Sequence, residues 1–381
     1  MVYFDNNSTT QPLPQVLEAF LRVSRENWAN PSSPHRSGCR VRAFVERARE
    51  EISQSLEVEP SQLTFTSGAT ESNNTILSWI ARSQIYPTRD VFVSTVEHPS
   101  ILETVQFYFP EKIRYLPVNA DGVVEIDSFK KMMDQKLPSL VSLMAVHNET
   151  GVIQPWREVA QVCRDHGVWF HCDATQWVGK MDTEGLNICS SFSFSAHKFG
   201  GTKGVGALVS CQPASLIKGG GQERETRGGT ENFPGIEGLR IAFKHRCPDA
   251  HSRVVREAWK RNFEECLLEE FTNLKVIGHP VSRLWNTSLL CLPEFDNLSW
   301  VSKLEKLGYT VSTGSACSTA REEPSSLSGA IGLSESESRR LVRVSSFTDT
   351  SEKDWLGLAN AFKDAFLELR SERENSGVIA L

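Results

Sequence analysis

The sequence predicts an α/β protein, with a mainly parallel sheet covered by helices and a smaller α+β unit after it. Three observations predict it. Short apolar runs alternate with helix-like stretches through the first half of the chain. Those runs are apolar on both faces, as strands covered from both sides are. Beyond Gly235 the alternation gives way to a long helical stretch and then to shorter mixed elements.

Taken in order, Met1 to about Asn30 can pack with either unit. "QLTFT" (62–66), "DVFVSTV" (90–96), "SLVSLMAV" (139–146) and "VWFHC" (168–172) read as strands, with helices over 71–82, 99–109 and 156–166 between them. "SFSFSA" (191–196) and "GVGALVS" (204–210) flank a Gly-rich turn and read as two further strands. Residues 236–272 are helical in character, with a break near Pro248. "LKVIG", "RLWNTSLLCL", a helix near 299–307, "YTVSTG", "LVRVSSF" and a last helix near 351–372 make the smaller unit. The polar stretch "SSLSGAIGLSESES" (325–338) reads as a surface loop with a short helix. We divide the chain into a large domain, 15–250, and a small one, 1–14 with 251–381.

At 381 residues, 39% hydrophobic and 23% charged, the chain can bury a sizeable core. A formal charge of −6 argues against a nucleic-acid binder. No secretory signal and no membrane-length apolar stretch is visible, so the expected compartment is the cytoplasm. The nine cysteines are expected there as thiols, and with no CxxC pair we expect no metal.

Five polar clusters follow five strand-like runs, at what the pattern makes one edge of the sheet. "HCDATQWVGK" ends a strand at Asp173, where open α/β sheets place ligand groups. Lys198 follows 25 positions later, between His197 and Phe199 and just before Gly200-Gly201. If partly buried, its amine is a usable nucleophile. A carboxylate paired with a Schiff-base lysine is how pyridoxal 5′-phosphate (PLP) is held, although a buried structural ion pair explains the two residues equally well. In "TSGATESNN" (66–74), Ala69 and Thr70 open a helix whose N–H groups suit a phosphate, or make an ordinary cap. His98 in "VEHPS" can stack on a planar ring and move protons, or be a plain loop histidine. Asn148 and Glu149 end another strand in "VHNETG". "GGGQERETRGGTEN" (219–232) is too polar for a core and reads by itself as a surface loop.

Together these stretches, with "FDNNSTT", "NPSSPHRSG" and "STGSACS" (312–318), resemble in order the motifs of NifS/IscS-type cysteine desulfurases. These are PLP enzymes of the class V aminotransferase group, with the fold type I architecture of PLP-dependent transferases. The resemblance runs from about residue 3 to about 370. It implies Lys198 as the Schiff-base lysine, Asp173 at the pyridinium nitrogen and Gln176 at the phenolic oxygen. His98 stacks on the ring and assists proton transfer. Ala69, Thr70, Ser195 and His197 hold the phosphate, and Thr230 reaches the phosphate in the other protomer of a homodimer with shared active sites. Asn148 and Arg343 position the carboxylate of L-cysteine. Cys317 takes the sulfur as a persulfide, leaving L-alanine, and passes it to an acceptor protein. Direct nucleic-acid or membrane binding is not implied. The acceptor serves iron–sulfur cluster assembly, tRNA thiolation or DNA sulfur modification.

The chain departs from the family pattern in places. "RVSSFT" after Arg343 is two residues short and lacks a usual second arginine. His147 replaces an asparagine, and Ala196 a glycine. The ending at "RENSGVIAL" lacks the longer tail of the housekeeping iron–sulfur members. Three other readings compete: a selenocysteine lyase or transaminase-like relative, a catalytically idle sulfur carrier, and a metal site on His171, Cys172 and His197, which has no standard ligand spacing. A transaminase has no use for Cys317, and an idle carrier would have lost Lys198, Asp173 or Cys317.

Overall fold

The computed structural model describes residues 1–83, 90–245, 249–314 and 326–375. In chain order the elements begin with β1 (Val2–Tyr3), α1 (Pro14–Glu26), α2 (Arg36–Ser55), β2 (Leu63–Thr66), α3 (Ala69–Arg82), β3 (Val91–Ser94), α4 (Pro99–Tyr108) and β4 (Ile113–Leu116). They continue with α5 (Ile126–Gln135), β5 (Leu140–Ser142), α6 (Trp156–Asp165), β6 (Trp169–Asp173), β7 (Ser191–Ser195), β8 (Gly206–Ser210) and α7 (Phe233–Lys244). The remainder is α8 (Ala250–Glu270), β9 (Lys275–Val276), β10 (Thr287–Cys291), α9 (Asn297–Lys306), β11 (Tyr309–Thr310), α10 (Ser326–Ala330), α11 (Glu335–Ser338), β12 (Leu341–Ser345) and α12 (Glu352–Asn375).

A seven-stranded sheet runs β2-β8-β7-β6-β5-β3-β4. The neighbours from β7 to β4 pair in parallel, and β8 alone runs against both of its neighbours. Alternation along each strand feeds two layers. Phe92, Val141, Phe170, Cys172, Phe192, Phe194, Ala207 and Val209 enter one core with α1, α2, α5, α6 and α7. Val91, Val93, Leu140 and Leu208 enter another with α3 and α4. The helices supply matching stripes: Trp156, Val159, Ala160 and Cys163 are the buried face of α6, at the spacing of one helical side. The first thirty residues divide. Phe4 lies in a third core with α8, α9 and α12, β1 pairs with β11, and Val16 and Val23 of α1 lie in the first core.

β2 is an edge strand, and an ion pair closes it. Arg49, on α2, donates Nη1 to the Leu63 carbonyl (2.7 Å), while Glu223 accepts the Phe65 N–H at 2.8 Å. The two side chains pair bidentately at 2.8 Å, and each is 2% exposed. They satisfy backbone groups that the sheet leaves open. Glu223 does so from a strained turn: Glu223, Arg224 and Glu225 are consecutive non-glycine residues with φ of 47°, 55° and 66°. Such conformations cost roughly 1–3 kcal/mol each, so the side-chain contacts must hold the turn. Glu223→Ala is expected to leave Arg49 buried without its carboxylate and to cost about 3–5 kcal/mol, read as a lower urea midpoint. A midpoint unchanged from wild type would show that the pair does not hold this edge.

This turn corrects one expectation. The 219–232 stretch follows β8, which runs opposite to the others, so it leaves the far edge of the sheet from the other four clusters. It returns along β2, with Thr226 on Thr64 (3.0 Å), and reaches the head of α3 through Arg227 and Glu71 (3.0 Å). It is a pinned edge cover rather than a plain surface loop.

Candidate active site

The parallel strands β3, β5, β6 and β7, with β2 running alongside, bring four polar clusters to one edge. β6 ends at Asp173, which is 6% exposed. Its Oδ2 accepts Asn73 Nδ2 and its Oδ1 accepts the Thr175 N–H, both at 2.9 Å. Among the described residues no salt bridge reaches it, so the structural ion pair with Lys198 is not formed. Asn73 stands on the α3 face turned to the sheet. Its Oδ1 accepts Ser193 Oγ (2.6 Å) and meets His171 Nε2 (3.0 Å), while its Nδ2 also reaches Ser100 Oγ (2.9 Å). The pattern "SFSFS" now has a cause: its phenylalanines enter one core and its serines face α3. Ser100 Oγ lies 2.8 Å from His98 Nδ1. A chain of hydrogen bonds therefore runs from Asp173 through Asn73 and Ser100 to His98. His98 caps α4, and burial holds it below the usual histidine range, helped by the Lys198 charge and opposed by Asp173. Below this chain Glu97 is buried. Its Oε1 accepts the Met144 N–H at 2.5 Å, and burial, with the Asp173 charge, pushes its carboxyl well up.

A second chain starts in the N-terminal strap. Lys198 Nζ donates to the carbonyls of Asn7 (2.7 Å) and Ser8 (2.9 Å). The same Asn7 carbonyl accepts Gln176 Nε2 at 3.0 Å. Asn7 Nδ2 reaches Thr287 Oγ1 (2.9 Å) and the Asn148 carbonyl (3.1 Å), and that carbonyl also accepts Arg343 Nη1 (3.2 Å). Arg343 Nη2 donates to Asp5 Oδ1 (2.7 Å) and Ser8 Oγ (2.6 Å), and its buried Nε has no partner among the described residues. Asn7 thus ties Lys198, Gln176, Asn148 and Arg343 into one cluster.

A third group lies at the head of α3. Ser195 Oγ accepts the Ala69 N–H at 2.8 Å, which leaves its own proton to donate. Thr70 is exposed there. A Cβ at Gly206 would lie 2.5 Å from the Phe194 oxygen and 2.7 Å from Gly68 Cα, so the space under the helix head stays open only with glycine. His197 Nδ1 meets Thr9 Oγ1 (3.2 Å); burial, with Lys198 and Lys203 nearby, lowers its pKa to about 4. Thr230 is exposed on the edge cover, between two residues, Gly229 and Glu231, that line a small cavity with Ser67. Cys317 lies outside the described residues. The chain leading to it is placed: Ser312 and Arg343 exchange backbone hydrogen bonds of 3.1 and 2.7 Å, and Gly314 follows at φ 75°.

The donor set suits PLP. A buried carboxylate with only neutral donors awaits a cationic ring nitrogen, the Lys198 amine is held on the strap carbonyls of Asn7 and Ser8, and the Ala69 N–H and the Ser195 and Thr70 hydroxyls lie at an open helix head. The departures also have local accounts. His147 is buried and caps the loop that follows it, its Nδ1 taking the N–H groups of Glu149 (3.3 Å) and Thr150 (3.2 Å). Burial, then the Arg343 charge, drives its pKa to about 3. The Ala196 Cβ fills the space over Gly201, where a second Cβ would lie 2.5 Å away. Both ring nitrogens of His171 are hydrogen-bonded, and among the described residues no three ligating side chains could hold a metal. No described helix is long and apolar enough to cross a membrane. Reading residues one motif at a time missed Asn7, Asn73 and Glu97 as parts of this site, although all three lie inside the quoted motifs.

A family model described as aminotransferase class-V matches residues 2–354. A cysteine desulfurase IscS of Clostridium botulinum is 34% identical over 365 residues, spanning 93% of this chain and 91% of its own. Among solved structures, a NifS-like protein matches with a TM-score of 0.87 at 30% identity, over 96% of this chain and 99% of its own. A structure of SspA in complex with cysteine matches at 0.79 and 30% identity, over 91% and 98%.

Proposed function

The chain belongs to the aminotransferase class-V family, among its NifS/IscS-type cysteine desulfurases, and from that membership we propose how its residues divide the work. It is a cysteine desulfurase of a PLP-dependent family. The observation that carries the assignment of roles is the buried Asp173 carboxylate, held by neutral donors in one hydrogen-bonded chain with His98.

Lys198 would hold PLP covalently, with Asp173 at its ring nitrogen, Gln176 at its phenolic oxygen and His98 over its face. Thr70, the Ala69 N–H, Ser195 and His197 would hold its phosphate, with Thr230 contributing from the other protomer of a homodimer. When bound, PLP supplies an electron sink for the charge that develops at the substrate Cα. The chain's own residues do the rest. Arg343 binds the L-cysteine carboxylate as a planar fork, and Asn148 borders it. Lys198 and His98 take and return the Cα proton; His98 suits this because burial keeps it neutral near pH 7. The Cys317 thiolate attacks the substrate Sγ. An S–S bond forms, the substrate Cβ–S bond breaks, and its electron pair stays with carbon, where a proton completes L-alanine. Cys317–SH and L-cysteine thus become Cys317–S–SH and L-alanine with no outside oxidant. The persulfide passes to an acceptor protein serving iron–sulfur assembly, tRNA thiolation or DNA sulfur modification. We assign 15–250 to a PLP-binding domain, 1–14 with 251–381 to a domain carrying the Cys317 loop, and the enzyme to the cytoplasm.

The test is direct. Protein reconstituted with PLP and given L-cysteine with a thiol reductant should release L-alanine and sulfide in equal amounts, and should sediment as a dimer. Alanine without sulfide, or turnover by a monomer, would contradict the sulfur step and the shared site respectively.

A further inference from the structure

Lys180 is fully buried, and nothing in the proposed chemistry uses it. It stands four residues after Gln176, and its carbonyl accepts Trp285 Nε1 at 3.0 Å. Its Nζ has two partners, Asn7 Oδ1 at 2.7 Å and Gln176 Oε1, and among the described residues no carboxylate pairs with it. An isolated cation there would be costly. Burial, with the Lys198 and Arg343 charges, pushes this amine well below the usual lysine range. A neutral amine has two hydrogens, and the two amide oxygens match them.

This arrangement has a directional consequence. A group that gives hydrogens to both amides obliges both to turn their oxygens toward it. Asn7 complies: its Nδ2 points away, to Thr287 and Asn148. Gln176 must likewise point Nε2 away from Lys180. That nitrogen gives one hydrogen to the Asn7 carbonyl, beside Lys198 Nζ on the same acceptor, and keeps a second. Without Lys180, the Gln176 amide could turn over and present an oxygen where an anionic oxygen needs a donor.

We propose that Lys180 is a positioning residue that locks the Gln176 amide with its N–H toward the phenolic oxygen of PLP bound at Lys198. The inference rests on the assignment of PLP to Lys198. It concerns the proton equilibrium of the bound cofactor, because an N–H on the anionic oxygen favours the deprotonated form and lowers the pH at which colour changes.

The experiment is a pH titration of the visible spectrum of the holoenzyme. Lys180→Met, similar in volume but without donors, should raise the midpoint by about one pH unit. Gln176→Leu should raise it as much, and the double variant no further than the larger single shift. Additive shifts would overturn the proposal, because Lys180 would then act through charge or packing alone. An unshifted Lys180→Met would also overturn it. Should Lys180→Met fail to fold, Gln176→Glu keeps an oxygen for Lys180 and removes the N–H; its midpoint should rise, and an unmoved one would refute the donor role. A wild type with no lysine-bound cofactor, read as no band fixed by borohydride reduction, removes the underlying assignment and this inference with it.

Discussion

Lys198→Ala is expected to yield a folded, colourless protein that makes almost no alanine. The amine of Lys198 reaches the strap through the Asn7 and Ser8 carbonyls. Its loss leaves the Asn7 carbonyl with Gln176 Nε2, so the strap keeps a tie to the large sheet. The backbone around it does not depend on the side chain either, because Ala196 packs on Gly201 and Thr10 Oγ1 takes the Gly200 N–H at 2.7 Å. The melting temperature should therefore move little. The covalent hold on PLP should vanish, and PLP should wash out on gel filtration. Proton transfer by a placed side chain contributes roughly 10²–10⁴-fold, and loss of the covalent attachment adds to it. Turnover is expected to fall by about 10³-fold or more. A yellow Lys198→Ala that keeps its cofactor through gel filtration and turns over normally would remove Lys198 from the role.

The sheet was legible because its buried strands are uninterrupted apolar runs. The runs at 62–66, 90–96 and 139–146 contain β2, β3 and β5, and the run at 168–172 contains all of β6 but its last residue, Asp173. β4 was missed because it lies at the sheet edge, and "IRYL" carries two exposed residues in four. Its strand character comes from pairing with β3, which no local pattern records. The polar stretch read as one loop with a short helix holds two, α10 and α11, the second fixed by a capping box between Ser334 and Glu337. The site was legible where a motif ends a strand, as at Asp173 and His98. It was illegible where one residue serves partners 141 to 280 positions away, as Asn7 serves Asn148, Gln176, Lys180, Lys198 and Thr287. An asparagine in a polar N-terminal strap looks like any loop asparagine until the fold surrounds it.

Cys317→Ser should separate the cofactor from the sulfur. Every partner named for Lys198, Asp173 and Gln176 lies elsewhere in the chain, so the variant should keep its PLP and its colour. The sulfur step should stop, because a serine hydroxyl neither ionises near neutral pH nor forms a stable bond to sulfur. Alanine formation is expected to fall by roughly 10³-fold or more, with no persulfide in a mass spectrum of the protein. The position supports the role: Cys317 is three residues beyond Gly314, three residues span at most about 11 Å, and the backbone before Gly314 is bonded to that of Arg343. The pH dependence gives a second check. An ordinary thiol titrates near 8.5, so the thiolate fraction, and with it the wild-type rate, should rise with pH and flatten above the thiol pKa. His98, held below 6.5 by burial, is already neutral there and does not shape that limb. If Cys317→Ser retained both the alanine and the alkaline rise, another of the chain's cysteines would have to be the acceptor. Cys163 and Cys172 are poor candidates, since both are buried and burial pushes both thiols well up.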